Sequence, residues 1–220
     1  MTFGAVGDLH GDFEALDRAM AAHPEAAFWL CPGDVASDSG EYPAPRAPLY
    51  WIKGNNEDFD FVAAQPMGSG TLRNLCFIPN GEVVTAQGFR LAGLGGTFAP
   101  TVYDMAASEL PHAKNHGKTN DRRRHFVRDE VDACKTLRAV DVFMSHEAPR
   151  PYPLERVRDA GKTPVNDVLA AMQPRLHLFG HHHRYTVAER QHVPSIGLEA
   201  VSDSYLLFDA TTLAHERLTI

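Results

Sequence analysis

The sequence predicts an α/β fold of two packed sheets with helices outside, and three observations carry that prediction. Residues 1–60 run strand–helix–strand–loop–strand, the order of a parallel sheet. Each apolar run exits into polar residues at its C-terminal end, where open α/β sheets place their ligands. Beyond residue 184, four short strand-like runs follow one another closely, as in an antiparallel tail.

The elements follow in order. "TFGAVG" (2–7) is a buried strand. "DFEALDRAMAAH" (12–23) has apolar residues at helical spacing, with Asp12 as N-cap. "AAFWLCPGD" (26–34) is a second buried strand ending in a Gly-Asp turn. Residues 37–48 carry three prolines and read as a loop. "LYWIKGNNE" (49–57) is a third strand running into a polar turn. "EVVTA" and "FRLAGLGG" flank Gln87-Gly88 and form a hairpin. Residues 97–122 are polar, without clear period, and read as an insertion over one face. "RRRHFVRDEVDACKTLRAV" (122–140) is a helix, "DVFMSHEAP" (141–149) a strand, "PVNDVLAAMQ" a helix and "RLHLFGHHH" a strand. "YTVAER", "VPSIGL", "SYLLFDA" and "AHERLTI" complete the tail as antiparallel strands.

Composition narrows the function classes. The 220 residues, 44% hydrophobic, suffice for one substantial core in a single domain spanning 1–220. A net charge of -7 argues against a protein that coats nucleic acid non-specifically, which needs many phosphate-neutralising cations. The three cysteines have no metal-finger spacing, and the odd count with no leader points to a reducing cytoplasm. No run reaches the ~20 apolar residues of a membrane span.

Five strand ends carry metal-competent side chains: Asp8 and His10, Asp34, Asn55, His146, then His181 and His183. They lie in "GDLHG", "PGDV", "GNNE", "SHEAP" and "GHHH". Glycine in four of the five lets the backbone turn sharply. In an extended segment, spacing by two puts Asp8 with His10, and His181 with His183, on one face and turns His182 away. Oxygen and imidazole donors without thiolate suit Mn, Fe or Zn better than Mg or Ca. Seven side chains exceed one tetrahedral site but suit two metals sharing a carboxylate. Two divalent ions, two aspartates and one bridging hydroxide leave about one positive charge, which attracts a phosphate ester.

The ordered series resembles the calcineurin-like metallophosphoesterases, whose pattern is GD-x-H, GD, GNH-[DE], H and GH-x-H. The resemblance spans residues 7–183 and implies a four-layer α/β/β/α sandwich of two mixed sheets with a dinuclear site between them. Carried over by motif, Asp8, His10, Asp34 and His183 would hold one metal. Asp34, Asn55, His146 and His181 would hold the other. Mn is the expected metal, with Fe or Zn as alternatives, and a metal-bound hydroxide would attack phosphorus in line. "RLAGLGGTF", "RRRHFVRDEV" and "DVFMSHEAP" also resemble RNA lariat debranching enzymes, which cut 2',5'-phosphodiester bonds. Those enzymes have Cys where this chain has Asp8, and they keep the His of GNHE where this chain has Asn56.

The expectation is therefore a dinuclear phosphodiesterase acting on a nucleotide or on RNA or DNA. Asn56, His10 and His146 are the candidate catalytic residues. In the family, the His at the position of Asn56 helps protonate the leaving oxygen or steadies the phosphate. Asn can donate a hydrogen bond but not a proton, so His112, His116 or His125 could protonate instead. Between 112 and 128, Lys114, Lys118, Arg122, Arg123, Arg124 and Arg128 stand against Asp121 alone. Arg122, Arg123, Arg124 and His125 are the candidate substrate-binding residues; a solvated surface loop is the competing account. Phe98, Tyr103 and Tyr152 are read as packing rather than as base-stacking residues. The alternatives are a phosphomonoesterase or dinucleoside-polyphosphate hydrolase and, in a different class, a non-catalytic interaction scaffold on the same fold. "GDVASDSG" lacks the DRG of protein Ser/Thr phosphatases.

Overall fold

The computed structural model describes residues 1–68, 70–112 and 120–220, so Lys114, His116 and Lys118 lie outside the described residues. Among the described residues, twelve strands form two six-stranded sheets. The first holds β1 (Thr2–Val6), β2 (Ala26–Cys31), β3 (Leu49–Trp51), β4 (Leu75–Phe77), β11 (Tyr205–Asp209) and β12 (His215–Leu218). Its order is β12-β11-β1-β2-β3-β4; β1 to β4 are parallel, and β11 and β12 continue the edge antiparallel. The second holds β5 (Val83–Ala86), β6 (Phe89–Leu94), β7 (Val142–Ser145), β8 (Leu176–Phe179), β9 (Thr186–Arg190) and β10 (Val193–Gly197). Its order is β5-β6-β7-β8-β10-β9, with β6, β7, β8 and β10 parallel.

Both sheets are mixed and both are apolar on two faces, so each needs cover on both sides. Phe3, Phe28, Leu30 and Phe208 of the first sheet meet Leu91, Val142, Met144 and Leu178 of the second in a shared core. Trp29, Cys31 and Trp51 point outward and are covered by α1 (Phe13–Ala22) and α2 (Phe59–Ala63). Ala92, Leu94 and Phe143 are covered by α3 (Arg128–Thr136) and α4 (Thr163–Met172). The layers therefore run α/β/β/α. The Asp12 side chain caps α1 by accepting from Ala15 N at 3.0 Å, as its sequence context predicts. Free Cys31 and Cys134 are buried in the two outer cores.

Several elements differ from the sequence expectation. The 122–140 helix contracts to α3. Asp121 accepts from Arg123 N at 3.0 Å and caps a short 3-10 turn over Arg122–Arg124. The chain then runs extended, with Phe126 N donating to Thr97 O at 3.1 Å. β10 pairs parallel with β8, so the tail is not wholly antiparallel. β4 and α2, three and five residues long, are too short to show a period. Within 97–122, the described residues are less polar in role than in composition. Val102 and Leu110 bury against Val127, while Phe98 and Tyr103 pack on Phe126.

The four long strands predicted to reach Asp34, Glu57, Pro149 and His183 end earlier, at Cys31, Trp51, Ser145 and Phe179. The residues beyond them, like those beyond β1, form loops at one edge of both sheets, and every candidate ligand lies in one of these five loops.

The shared core is pinned by three stacked rings on neighbouring strands. Phe3 lies parallel to Phe28 (centroids 5.1 Å apart) and to Phe208 (4.8 Å). Phe3 is fully buried. Phe3→Ala should cost roughly 3–5 kcal/mol, because both stacks are lost and the facing sheet cannot close the gap. Urea unfolding checks this; a loss below ~1 kcal/mol would mean the sheets re-pack freely.

Candidate metal centre

Each candidate ligand follows a strand that stops one to four residues earlier. Leu9 N and His10 N both donate to Asp34 O, at 3.0 and 2.9 Å, which ties the loop after β1 to the loop after β2. His181 N donates to both Asp8 carboxylate oxygens, at 3.1 and 3.0 Å, joining the loop after β8 to the first. Asn56 N donates to Asp34 Oδ1 at 2.6 Å. His146 Nδ1 donates to Pro32 O at 2.8 Å. A Cβ on Gly54 would collide with the Asp34 carboxylate, and one on Gly180 with that of Asp8. Glycine is needed at both positions because the aspartates lie against bare backbone.

The local backbone is unusual. His10, Asp34, His181 and His183 all have positive φ, at 47°, 52°, 69° and 47°. Such conformations cost energy in non-glycine residues and gather at functional sites. They also correct the reason expected for the pairing of ligands. The segments are left-handed at these residues rather than extended, so alternation along a strand does not aim the side chains.

The seven candidate ligands come together. Asp8, His10 and His183 offer ligand atoms within 4.8 Å of one another, and so do Asp34, His146 and His181. His183 Nε2 is 2.9 Å from Asp8 Oδ2 and 3.2 Å from His10 Nε2. Asp34 lies between the groups: its Oδ2 is 3.7 Å from His10 Nε2 and 3.6 Å from His146 Nε2. Asn55 Oδ1 joins the second group at 3.1 Å from His146 Nε2. Asp8 and Asp34 are buried, whereas His10 and His183 are exposed at the mouth.

The donor set fits divalent cations. Pro32 O can only accept, so His146 Nδ1 carries the ring proton and Nε2 presents its lone pair. That lone pair faces Asn55 Oδ1 and Asp34 Oδ2, so three acceptors converge with no donor among them. A bound cation, or failing that a proton on His146 Nε2, reconciles such a group. The field is strong. Burial alone would push His146 down, but the Asp34 and Asp8 carboxylates outweigh it and hold its pKa above the usual histidine value. Burial pushes His181 down to about 3, which keeps its imidazole neutral and able to bind metal. Burial would raise Asp8, but the His183 hydrogen bond and the nearby imidazoles bring it below the ordinary carboxylate range. Divalent ions bound here would be held by Asp8, His10, His183, Asp34, Asn55, His146 and His181, with Asp34 common to both groups.

Asn56 faces His10, its amide nitrogen 3.2 Å from His10 Nδ1. With the amide oxygen turned to the ring instead, Nδ1–H donates and Nε2 keeps its lone pair for the centre.

The expected substrate-binding residues separate. Arg123 is committed: it bonds Asp121, Asp60 Oδ1 at 2.7 Å and Phe59 O at 3.2 Å. Arg122 is exposed. Arg124 Nε and His125 Nε2 are buried and have no hydrogen-bond partner among the described residues. His125 Nδ1 is 2.9 Å from Thr97 Oγ1, and burial lowers its pKa to about 4, so the ring stays neutral. Tyr152 packs on Phe179 and His182.

Two buried acids escaped sequence reasoning. Glu57 accepts from Val35 N, Ala36 N, Gly54 N and Tyr42 Oη between 2.9 and 3.2 Å, and so clamps the loops carrying Asp34 and Asn55. Burial, with the Asp34 charge, pushes Glu57 up to about 7. Glu147 accepts from Phe98 N at 3.0 Å and lies with His181 and His182 in a third group of potential ligands. Both acids directly follow or closely follow a candidate ligand inside a short motif, but burial of a charge leaves no mark in sequence.

The comparisons with known proteins agree with this geometry. The calcineurin-like phosphoesterase family model matches residues 1–185. An uncharacterized protein of Haemophilus influenzae is 26% identical over 91% of this chain and 94% of its own length. The lariat debranching enzyme of Schizosaccharomyces pombe is 25% identical over 84% of this chain, which spans only 44% of that enzyme. TT1561 of Thermus thermophilus shares the fold at a TM-score of 0.66, with 13% identity over 99% of this chain and 98% of that one. No helix of the described residues is long and apolar enough to cross a membrane. The chain belongs to the calcineurin-like phosphoesterase family and is a metal-dependent phosphoester hydrolase.

Proposed function

We propose that this hydrolase is a two-metal phosphodiesterase acting on a nucleotide or nucleic-acid phosphodiester. One observation carries the reading. Asp34 stands between two groups of ligands, within 3.7 Å of an imidazole from each. A shared carboxylate between two such groups suits two divalent ions, Mn first, with Fe or Zn as alternatives. When bound, the ions would activate water and neutralise charge on the phosphoryl group. The chain's own residues do the rest. Asp8 and Asp34 supply the buried negative charge that holds the ions. His146, fixed by Pro32 O, and His10, braced by Asn56, keep their Nε2 lone pairs aimed inward. The exposed edges of His10 and His183 leave the centre open to a substrate.

Likeness to lariat debranching enzymes supports a diester of nucleic acid. Arg122, Arg124 and His125 are assigned to a flanking phosphate, supported by the unpartnered Arg124 Nε and His125 Nε2. We withdraw Arg123 from that role, because Asp121 and Asp60 already use its guanidinium. Residues 1–220 are taken as one domain with an insertion at 97–122, since ligands from both sheets build one centre. Free, buried Cys31 and Cys134 support a reducing, cytoplasmic setting.

Chelation should abolish bis-p-nitrophenyl phosphate hydrolysis, and Mn should restore it. Asp34→Asn should lower both Mn content, measured by elemental analysis, and turnover. Asp34→Asn with full Mn content and near-normal turnover would contradict the bridging role.

Replacing Arg122 and Arg124 with Ser should raise KM for an oligonucleotide more than for a p-nitrophenyl ester. It should also flatten the salt dependence of oligonucleotide binding, because each phosphate-paired cation releases counterions. Equal effects on both substrates would return these residues to the solvated surface.

Asn56→His should speed an alkyl phosphodiester by about 10-fold, because an alkoxide needs a proton on leaving and p-nitrophenolate does not. The pH profile for the alkyl ester should gain a limb near the imidazole pKa, roughly 6.5. Unchanged rates on both esters in a fully metallated protein would place leaving-group protonation elsewhere.

A further inference from the structure

The turn that brings Asn55 and Asn56 to the centre also walls a cavity of about 390 Å³. Lys53, just before the turn, and Phe59, just after it, both line that cavity. Its interior is apolar and aromatic: Phe59 and Phe77 meet Val62 and Leu110 there, and all four are buried. Its rim carries the charged side chains of Lys53, Arg123 and Glu130. The Arg123 guanidinium stands 6.0 Å from the Phe59 ring centre, and Lys53 Nζ donates to Arg123 O and His125 O at 3.1 and 3.3 Å. One lining group keeps acceptor capacity. Glu130 Oε2 takes Val127 N at 2.9 Å, whereas Oε1 forms an ion pair with Lys53 Nζ at 3.8 Å, too long for a hydrogen bond.

We propose that this cavity receives a nucleobase of the substrate, with Glu130 Oε1 accepting from an N–H on the ring edge. The proposal deepens the phosphodiesterase reading and rests on it. Three features select a nucleobase over an aliphatic chain. Aromatic walls beside a guanidinium suit a π-face. A carboxylate oxygen at the wall suits a ring that carries N–H donors, and an alkyl chain would desolvate it without return. The cavity wall shares the 53–59 segment with the metal centre, so one short stretch of chain both lines the cavity and supplies Asn55 to the centre. Arg123 thus acts at the cavity rim, through Phe59 and Asp60, rather than on a phosphate.

The test uses adenosine, which has no phosphorus to hydrolyse, against ribose as the baseless control. Saturation-transfer NMR should show contact at the adenine protons of the Zn-loaded protein, where no paramagnetic ion broadens the signal. Adenosine should compete with bis-p-nitrophenyl phosphate at least ~10-fold more effectively than ribose, in line with one stacked base. Ala63 lies exposed on the cavity rim, so Ala63→Trp fills the space without removing core. That variant, with unchanged metal content and unfolding midpoint, should lose the adenine signal and most of adenosine's advantage. Adenosine no better than ribose, or a wild-type response in Ala63→Trp, overturns the assignment. Mn-dependent hydrolysis that persists beside either result leaves the phosphodiesterase reading standing. Wild-type protein inert toward every diester with Mn removes that reading, while the adenine signal still reports on the cavity.

Discussion

Two buried carboxylates, Asp8 and Asp34, set the terms for the rest of the structure. Burying charge is costly unless it is paired, and here backbone and side chains share the compensation. Asp8 takes both hydrogen bonds from His181 N and one contact from His183. Asp34 takes Asn56 N, while its own backbone carbonyl receives Leu9 N and His10 N. Four loops, after β1, β2, β3 and β8, are thereby tied together through two residues. The remaining acceptors, on Asp34, Asn55 and His146, converge without a donor and call for cations. The centre is thus stabilising as a network and unsatisfied as a pocket, the combination expected of a site that binds metal.

That arrangement explains the backbone. Four candidate ligands adopt left-handed conformations, and two glycines let the aspartates touch bare main chain. Glu57 supports the loops from beneath with four accepted hydrogen bonds. Strain at the ligands is tolerated because regular pairing ends just before them and the layered cores hold the strand ends still. The rigid sandwich and the irregular edge are two parts of one design: apolar strands fix position, and polar loops supply chemistry.

Much of this is legible in the sequence. The apolar runs announce β1, β2, β6, β7 and β8, Asp12 announces the start of α1, and the five short motifs name side chains that the fold brings together. What is hidden is instructive. β4 and α2 are too short to carry a period. α3 starts late because Asp121 stabilises a 3-10 turn where the pattern alone continues a helix. The pairing of β10 with β8 depends on which sheet edge is open, a tertiary matter. Arg123 counts as a free cation in sequence, yet Asp60, distant along the chain, claims it. Glu57 and Glu147 look like surface acids because burial is a property of the packed layers. The aiming of His10, His181 and His183 arises from positive φ, which residue spacing does not encode.

The ligands are scattered along the chain from Asp8 to His183, and both sheets contribute. During synthesis, the first metal group lacks His183 and the second lacks His181 until nearly the whole chain has emerged. Neither group can close on a nascent chain that has built only β1 to β4. Metal capture is therefore a late event, coupled to docking of the two sheets rather than to local collapse. The same wiring works in reverse: opening one end of the protein dismantles both groups together. Unfolding should then release metal from both groups in one cooperative event.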